Sequence, residues 1–305
     1  MLQQFKTQGG VQVEVTQQVL DYQQGIEHLI GRLDSQRGAL FTSSFEYPGR
    51  YTCWDIGFCN PPLALVCKQD FIQIDALNLR GKVLLASIMP LLVAHDALEL
   101  VTQSTVHLQI KIKASQRVFS EEERSQQPSV FTVIRLLLAF FKFDEEPYLG
   151  LYGSFGFDLI FHFDDLEQHK VRNEAQRDMV LYLPDEIFVV NHRKEEAFVR
   201  RYDFQFQGHS THDLPRAGAS LAYQSPNLPD KTCDHAPGEY AAVVNKAKER
   251  FACGDLFEVV PSQTFYTYYS EQPSSLFKKM RQFNPSPYGF FINLGEEEYL
   301  VGASP

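Results

Sequence analysis

The chain is short of the features that would fix a function class at a glance. Its 305 residues include five cysteines, Cys53, Cys59, Cys67, Cys233 and Cys253, widely spaced and with no C-x-x-C pair. That spacing excludes a disulfide framework and a zinc site built on paired thiols, and leaves buried free thiols in a reducing cytosol as the expectation. There is no excess of basic charge: 28 Lys and Arg stand against 38 Asp and Glu, a formal net charge of -10. Phosphate backbones are bound by clustered cations, so no nucleic-acid partner is expected. The longest apolar run, Leu136–Phe141, falls far short of the roughly 20 residues that span a bilayer. The opening MLQQFKTQGG has no basic run ahead of an apolar segment, so no secretory leader is expected. These absences point to a cytoplasmic protein with no membrane partner.

What the sequence does have is ordinary globular material, 44% hydrophobic and 22% charged, enough to build a large core without metal or disulfide support. Val19, Leu20, Ile26, Leu29, Ile30 and Leu33 fall near helical spacing, which predicts a helix from Thr16 to Leu33 with Thr16 as its cap. Short apolar pieces at Ala39–Ser44, Tyr51–Phe58, Leu63–Cys67 and Phe71–Ile74 read as strands, with a Pro48–Gly49 turn between the first two. Lys82–Ile88 reads as another strand, and Pro90 suits the first turn of a short helix running to about Leu100. Val106–Ile112 alternates like a strand. A helix start is expected at Ser120–Glu123, with acids in its first turn, and Pro128–Ser129 opens a buried helix over Val130–Phe141. Leu149–Phe157, Glu186–Asn191 and Phe198–Phe206 complete the strands of this region.

Composition shifts at Gln207, where Gly, Ser, Asp, Asn and Pro replace apolar residues as far as about Pro237. The expected division is therefore a domain over 1–206, a linker over 207–236 and a second domain over 237–305. The second domain should open with a helix from Pro237, its apolar face at Tyr240, Val243, Val244, Ala247 and Phe251, ended by Gly254 in a left-handed cap. A long strand Leu256–Tyr269, a helix capped by Ser274, and strands near Tyr288–Leu294 and Tyr299–Val301 should follow.

Few local motifs carry chemistry. The glycine-dense Leu149–Asp158 block lacks the Gly-Lys-Ser/Thr and G-x-G-x-x-G spacings that cradle phosphates. Close backbone packing within a sheet explains its glycines. The His162–His169 run offers carboxylates and imidazoles, but in so polar a segment a solvated stretch is the expected reading over a metal site. No G-x-S-x-G nucleophile elbow is present. Asn284-Pro285-Ser286-Pro287-Tyr288 is a rigid turn, because each proline fixes its own φ and extends the residue before it. It serves either as a lead-in to the next strand or as a preorganised ledge for a ligand.

Three blocks together resemble a known family. Leu149–Asp158, with Leu183-Pro184-Asp185 downstream, is similar to that family's glycine-rich segment and "LPD" strand. Gly254–Gln263 resembles "GDIFQVVPS", and Asn284–Tyr288 with Gly302-Ala303-Ser304-Pro305 resembles "NPSPYMF" and "VGASPE". The family is component I of anthranilate synthase, among the chorismate-utilising enzymes, and the resemblance runs from about Ala39 to the last residue. The segments Tyr47–Tyr51 and Leu181–Asp185 look most similar to the form fused to its glutaminase. Three positions depart from the family pattern: Thr42 replaces Glu, Glu258 replaces Gln, and Gly289 replaces Met.

The resemblance implies an α+β fold of packed antiparallel sheets with flanking helices. It implies a lyase that turns chorismate and glutamine-derived ammonia into anthranilate and pyruvate, with Mg²⁺ as cofactor, a glutamine amidotransferase as partner subunit or fused domain, and L-tryptophan as feedback inhibitor. The family's magnesium-binding glutamates and catalytic histidine belong to a half expected to follow Pro305, so no catalytic or metal residue carries over to this chain. The tryptophan site does carry over, onto Leu40 and Ser43 on one side and Pro287, Tyr288 and Gly289 on the other. Aminodeoxychorismate synthase, a phenazine-pathway relative and a non-catalytic tryptophan-binding module remain as alternatives.

Overall fold

A computed structural model describes residues 2–44, 54–113, 127–162, 167–168 and 171–304. The turn at Pro48–Gly49, the helix start at Ser120–Glu123 and most of the His162–His169 run lie outside the described residues. The strands are β1 Leu2–Lys6, β2 Gln12–Leu20, β3 Gly38–Thr42, β4 Trp54–Cys59, β5 Leu63–Lys68, β6 Phe71–Ala76, β7 Leu98–Gln103, β8 His107–Ile112, β9 Tyr152–Phe155, β10 Met179–Leu183, β11 Glu186–Asn191, β12 Glu196–Phe206, β13 His209–Ser210, β14 Tyr288–Gly295 and β15 Glu298–Ser304. The helices are α1 Glu27–Arg32, α2 Leu79–Val93, α3 Val130–Phe141, α4 Glu239–Ala252 and α5 Pro273–Phe283.

The strands form two antiparallel sheets. One has nine strands in the order β1-β2-β12-β11-β4-β3-β14-β15, with β13 beside β12, and the other has six in the order β7-β8-β6-β5-β10-β9. The α+β expectation of packed antiparallel sheets holds. Along β11 the side chains sort by parity. Ile187 and Val189 enter the core shared with the six-stranded sheet, α2 and α3. Phe188 and Val190 enter the core under α1 and α5, on the opposite face. Both faces are covered, so β11 reads as an unbroken apolar run. The same parity operates in β3 and β14: Ala39 and Ile292 face between the sheets, while Leu40 and Phe291 face Leu29, Ile30 and Phe277.

Several local expectations hold. The helix opened by Pro128–Ser129 is α3, with the Ser129 backbone N–H donating to Thr132 Oγ1 at 3.1 Å. Gly254 has φ +77, and the Asp255 N–H donates to the Arg250 carbonyl at 3.0 Å to close α4. In the glycine block, a Cβ on Gly153 would stand 2.1 Å from the Val180 carbonyl oxygen, so glycine there permits the close approach of β10.

Others are corrected. Thr16 caps no helix: residues 12–20 form β2, whose Val13 and Val15 are buried and which pairs with β12 from Gln12↔Gln205 to Leu20↔Ala197. The helix shrinks to α1. Lys82–Ile88 is helical, because Asn78 caps the segment by accepting the Gly81 N–H at 2.9 Å and Leu84, Leu85, Ile88 and Leu92 share one buried face. Pro90 falls in the last turn of α2, and Leu98–Gln103 is a strand. Leu256–Tyr269 forms no strand among the described residues. One isolated bridge, Cys233↔Phe265, stands where a ladder was expected, and side chains supply other backbone partners: Tyr240 donates its hydroxyl to the Pro261 carbonyl at 3.2 Å and Asp234 accepts the Thr264 N–H at 3.0 Å. Of the cysteines, Cys59 and Cys67 are buried, Cys233 is half-buried and Cys253 is exposed, so burial of all five does not hold.

Contacts divide the chain differently from composition. One unit is Met1–Tyr223 with Pro273–Pro305, and the other is Gln224–Gln272. Residues 273–305 join the first because β14 pairs with β3 from Gly289↔Thr42 to Asn293↔Gly38. The early part of the expected linker joins it too. The Thr211 N–H donates to the Phe204 carbonyl at 2.9 Å, and the buried Arg80 donates to the carbonyls of Thr211 at 2.6 Å and Tyr202 at 2.7 Å and to the carboxylate of Asp185.

Candidate effector site

β3 ends at Thr42, and the chain continues through Ser43 and Ser44 against the start of β14. Ser44 locks the two together: its N–H donates to the Ser286 carbonyl at 2.9 Å and its Oγ accepts the Ser286 N–H at 3.1 Å. Ser286 in turn accepts the Tyr288 N–H on its own Oγ at 3.0 Å and donates that hydroxyl to the Ser304 carbonyl. The Asn284–Tyr288 turn is therefore a tightly braced lead-in to β14, set down beside the end of β3.

Beside this junction lies a cleft of about 270 Å³, lined among others by Tyr22, Thr42, Ser43, Asp55, His192 and Arg281. Two hydroxyls at it, Thr42 Oγ1 and Ser43 Oγ, are buried and have no hydrogen-bond partner among the described residues. Buried hydroxyls in that condition are normally satisfied by water or a ligand. Asp55, on β4, accepts the Ser43 N–H on Oδ1 at 3.0 Å and faces His192 Nε2 with Oδ2 at 2.9 Å. The Tyr22 hydroxyl lies 3.0 Å from His192 Nδ1. The Asp55 carboxylate beside it raises the pKa of His192 above the usual imidazole value, against the opposing effects of burial and of Arg281. Arg281 donates to Glu27 at 2.6 Å.

The five residues carried from the sequence fall around this junction unequally. Ser43 lines the cleft. Leu40 is fully buried in the core with Leu29, Ile30 and Phe291, where it shapes the strand rather than the cleft surface. Gly289 is buried opposite Thr42 in the β14–β3 register, and a Cβ there would stand 2.6 Å from Thr42 Oγ1. Two departures from the family pattern, Thr42 and Gly289, are thus a single cross-strand pair. Pro287 is half-buried and Tyr288 is 56% exposed; neither lines the cleft. Sequence reasoning missed Tyr22, Asp55 and His192. The available signals were an aspartate inside the otherwise apolar Trp54–Cys59 strand and a histidine directly after the apolar β11.

Mg²⁺ is a hard cation that takes oxygen ligands in near-octahedral geometry. Among the described residues the groups that could hold an ion are Cys67–His162–Asp178 and Cys233–Asp234–His235, each with one carboxylate and one sulfur. In the first, burial pushes the Cys67 thiol up to about 12, and Asp178 already pairs with Arg172 and accepts the Gln69 N–H at 2.6 Å. Neither set fits Mg²⁺. No helix among the described residues is long and apolar enough to cross a membrane.

Residues 97–305 match the family of chorismate binding enzymes. The chain is 41% identical to the anthranilate synthase of Azospirillum brasilense over 99% of its own length and 41% of that protein's. It is 24% identical to anthranilate synthase component 1 of Haemophilus influenzae over 96% of its length and 58% of that protein's. Against anthranilate synthase component 1 of Escherichia coli it is 27% identical over 80% of its length and 48% of that protein's. The chain thus spans roughly two to three fifths of the curated relatives it matches. With most of its length matched, the chain belongs to the chorismate-binding enzyme family.

Proposed function

We propose that this chain is the effector-binding portion of a cytoplasmic anthranilate synthase. The complete enzyme converts chorismate and ammonia, delivered from glutamine by an amidotransferase partner, to anthranilate and pyruvate with Mg²⁺. L-Tryptophan inhibits it by binding where β3 meets β14. The names of the relatives support the reaction. The observation that carries the effector reading is the junction itself: Ser43 sits between Thr42 and Ser44, which are fastened to Gly289 and Ser286, and the buried hydroxyls of Thr42 and of Ser43 itself have no partner among the described residues. An amino acid supplies both donors and acceptors for such hydroxyls, and Ile26, Val190 and the ring of Tyr22 are the walls of the cleft that an indole could pack on. By the resemblance, the ligands that grip chorismate through Mg²⁺ belong to a part of the family outside residues 1–305, and none is proposed among the residues of this chain.

Calorimetric titration of the chain with L-tryptophan tests the reading. Wild type should bind, and Ser43→Phe should weaken binding at least about tenfold, through loss of a hydrogen bond to a charged group plus a steric clash. A Ser43→Phe chain that binds tryptophan normally, or that loses its melting transition together with its binding, removes Ser43 from the site. Anthranilate fluorescence from chorismate, Mg²⁺ and ammonium, rising with the concentration of this chain and abolished by EDTA, would overturn the assignment of catalysis elsewhere.

A further inference from the structure

β3 stops hydrogen-bonding as a strand at Thr42, so the sheet ladder does not set the next backbone amide. The Ser43 N–H is held instead by one side chain, the Asp55 carboxylate, at 3.0 Å. Asp55 is buried, its side chain 7% exposed, and its second carboxylate oxygen is taken by His192 Nε2 at 2.9 Å. With both oxygens engaged, Asp55 is better placed to hold the protein than to bind a ligand. His192 is braced from behind by the Tyr22 hydroxyl at 3.0 Å. The chain Ser43–Asp55–His192–Tyr22 thus draws on four separate segments to fix one amide, and that amide belongs to one of the two cleft residues whose hydroxyls have no partner among the described residues.

We propose that Asp55 and His192, with Tyr22 behind them, are positioning residues of the effector site: they hold the Ser43 amide where the sheet no longer does, and His192 makes that hold depend on pH. The identity of the effector rests on the tryptophan reading above; the positioning does not. The charged and titratable groups around His192 are Asp55 on β4, Tyr22 ahead of α1, Arg281 on α5 and Glu27 at the start of α1, the last two paired with each other. Protonated His192 donates Nε2–H to Asp55 as a charge-assisted bond and Nδ1–H to the Tyr22 oxygen. On deprotonation, the proton leaves Nδ1 for solvent and Tyr22 donates its hydroxyl to Nδ1 instead. Nε2–H still points at Asp55, so the contact survives as a weaker neutral-donor bond. The raised pKa places this change above about pH 6.5, the ordinary imidazole value.

The test uses the whole chain and two readouts, hydrogen exchange at the Ser43 amide and calorimetric L-tryptophan affinity, each followed from about pH 6 upward through the His192 titration. In wild type, Ser43 protection and tryptophan affinity should fall together by about fivefold as His192 loses its proton. Asp55→Ala should speed Ser43 exchange by at least about tenfold, and Asp55→Asn, which keeps a neutral acceptor, should fall between. His192→Gln, whose amide can donate to Asp55 at every pH, should keep Ser43 protected and remove the pH dependence. The proposal is overturned if Asp55→Asn melts like wild type yet leaves Ser43 protection unchanged, or if the pH dependence survives in His192→Gln. Should wild type bind no tryptophan at any pH, the effector reading fails while Ser43 exchange still decides the positioning claim.

Discussion

β14 and the segment Leu256–Tyr269 are both rich in aromatic and aliphatic residues and reach opposite outcomes. β14 carries Tyr, Phe, Ile and Leu, and the segment after α4 carries Leu, Phe, Val and Tyr. In β14, Phe291, Ile292 and Leu294 are at most 4% exposed, because β3 and β15 satisfy the backbone on either side and two cores receive the side chains. In Gln224–Gln272, Phe257 is fully exposed, Val260 is 80% exposed and Phe265 is 74% exposed, and α4 buries no residue at all. The helix still forms, since its turns need only local hydrogen bonds and the Gly254 cap. The turns of α4 thus satisfy their backbone locally, whereas a strand needs a neighbour's backbone that Leu256–Tyr269 meets only at the Cys233↔Phe265 bridge.

The sharpest way to break this comparison is to remove the buried charge that α2 sends against the larger sheet. Arg80 is 0% exposed and serves Asp185, Asp203 and three carbonyls. Arg80→Ala should cost about 3–5 kcal/mol, because it strands buried carboxylate and carbonyl groups, and a thermal melt reads the loss. Next comes a matched pair of phenylalanines: Phe291→Ala should cost about 3–5 kcal/mol, while Phe257→Ala should stay within about 0.5 kcal/mol. Equal shifts in urea unfolding would erase the distinction between the two regions. Hydrogen exchange should follow the same division, with the amides of Phe290–Asn293 protected and those of Phe257–Val260 near the unprotected rate.

A smaller effect belongs to the Thr42–Gly289 pair. Gly289→Ala places a methyl 2.6 Å from Thr42 Oγ1 and should cost about 1–3 kcal/mol, which Thr42→Ala in the same chain should largely restore. A double-mutant cycle with no coupling would place the clash elsewhere. Smallest is the titration of His192. Its folded pKa is raised, so the stability it contributes is full below about pH 6.5 and is lost as pH rises through that higher folded value. Melting temperatures of wild type minus His192→Gln should shrink over that window. A difference that grew with pH would reverse the sign.

The parts of the fold legible in the sequence were those written locally. Pro128–Ser129 announces α3, Gly254 ends α4, and Glu186–Asn191 is apolar enough to be a strand covered on both faces. The failures share a cause in distant partners. Residues 16–20 carry a spacing compatible with a helix, and only β12, far along the chain, makes them a strand. Leu256–Tyr269 carries the pattern of a strand and finds no ladder. The candidate site divides in the same way. Ser43 and Pro287–Gly289 could be named because family motifs surround them. Tyr22 and His192 could not, because they meet across 170 positions with no motif at either end.

The pairing of β3 with β14 also has a consequence in time. The bond between Ser44 and Ser286 closes a span of 242 residues, so during synthesis β3 leaves the ribosome long before its neighbour exists. At about 5–20 residues per second, that interval is on the order of ten to fifty seconds. Throughout it, β4 can dock on one edge of β3 while the other edge, with the Ser44 amide just beyond it, waits open. Contacts of such long range are slow to form, and an open strand edge in the meantime recruits other chains. The junction proposed as the effector site is therefore among the last parts of the sheet to be completed, and the nascent chain is open to misassociation at the place where Ser44 and Ser286 brace the folded protein.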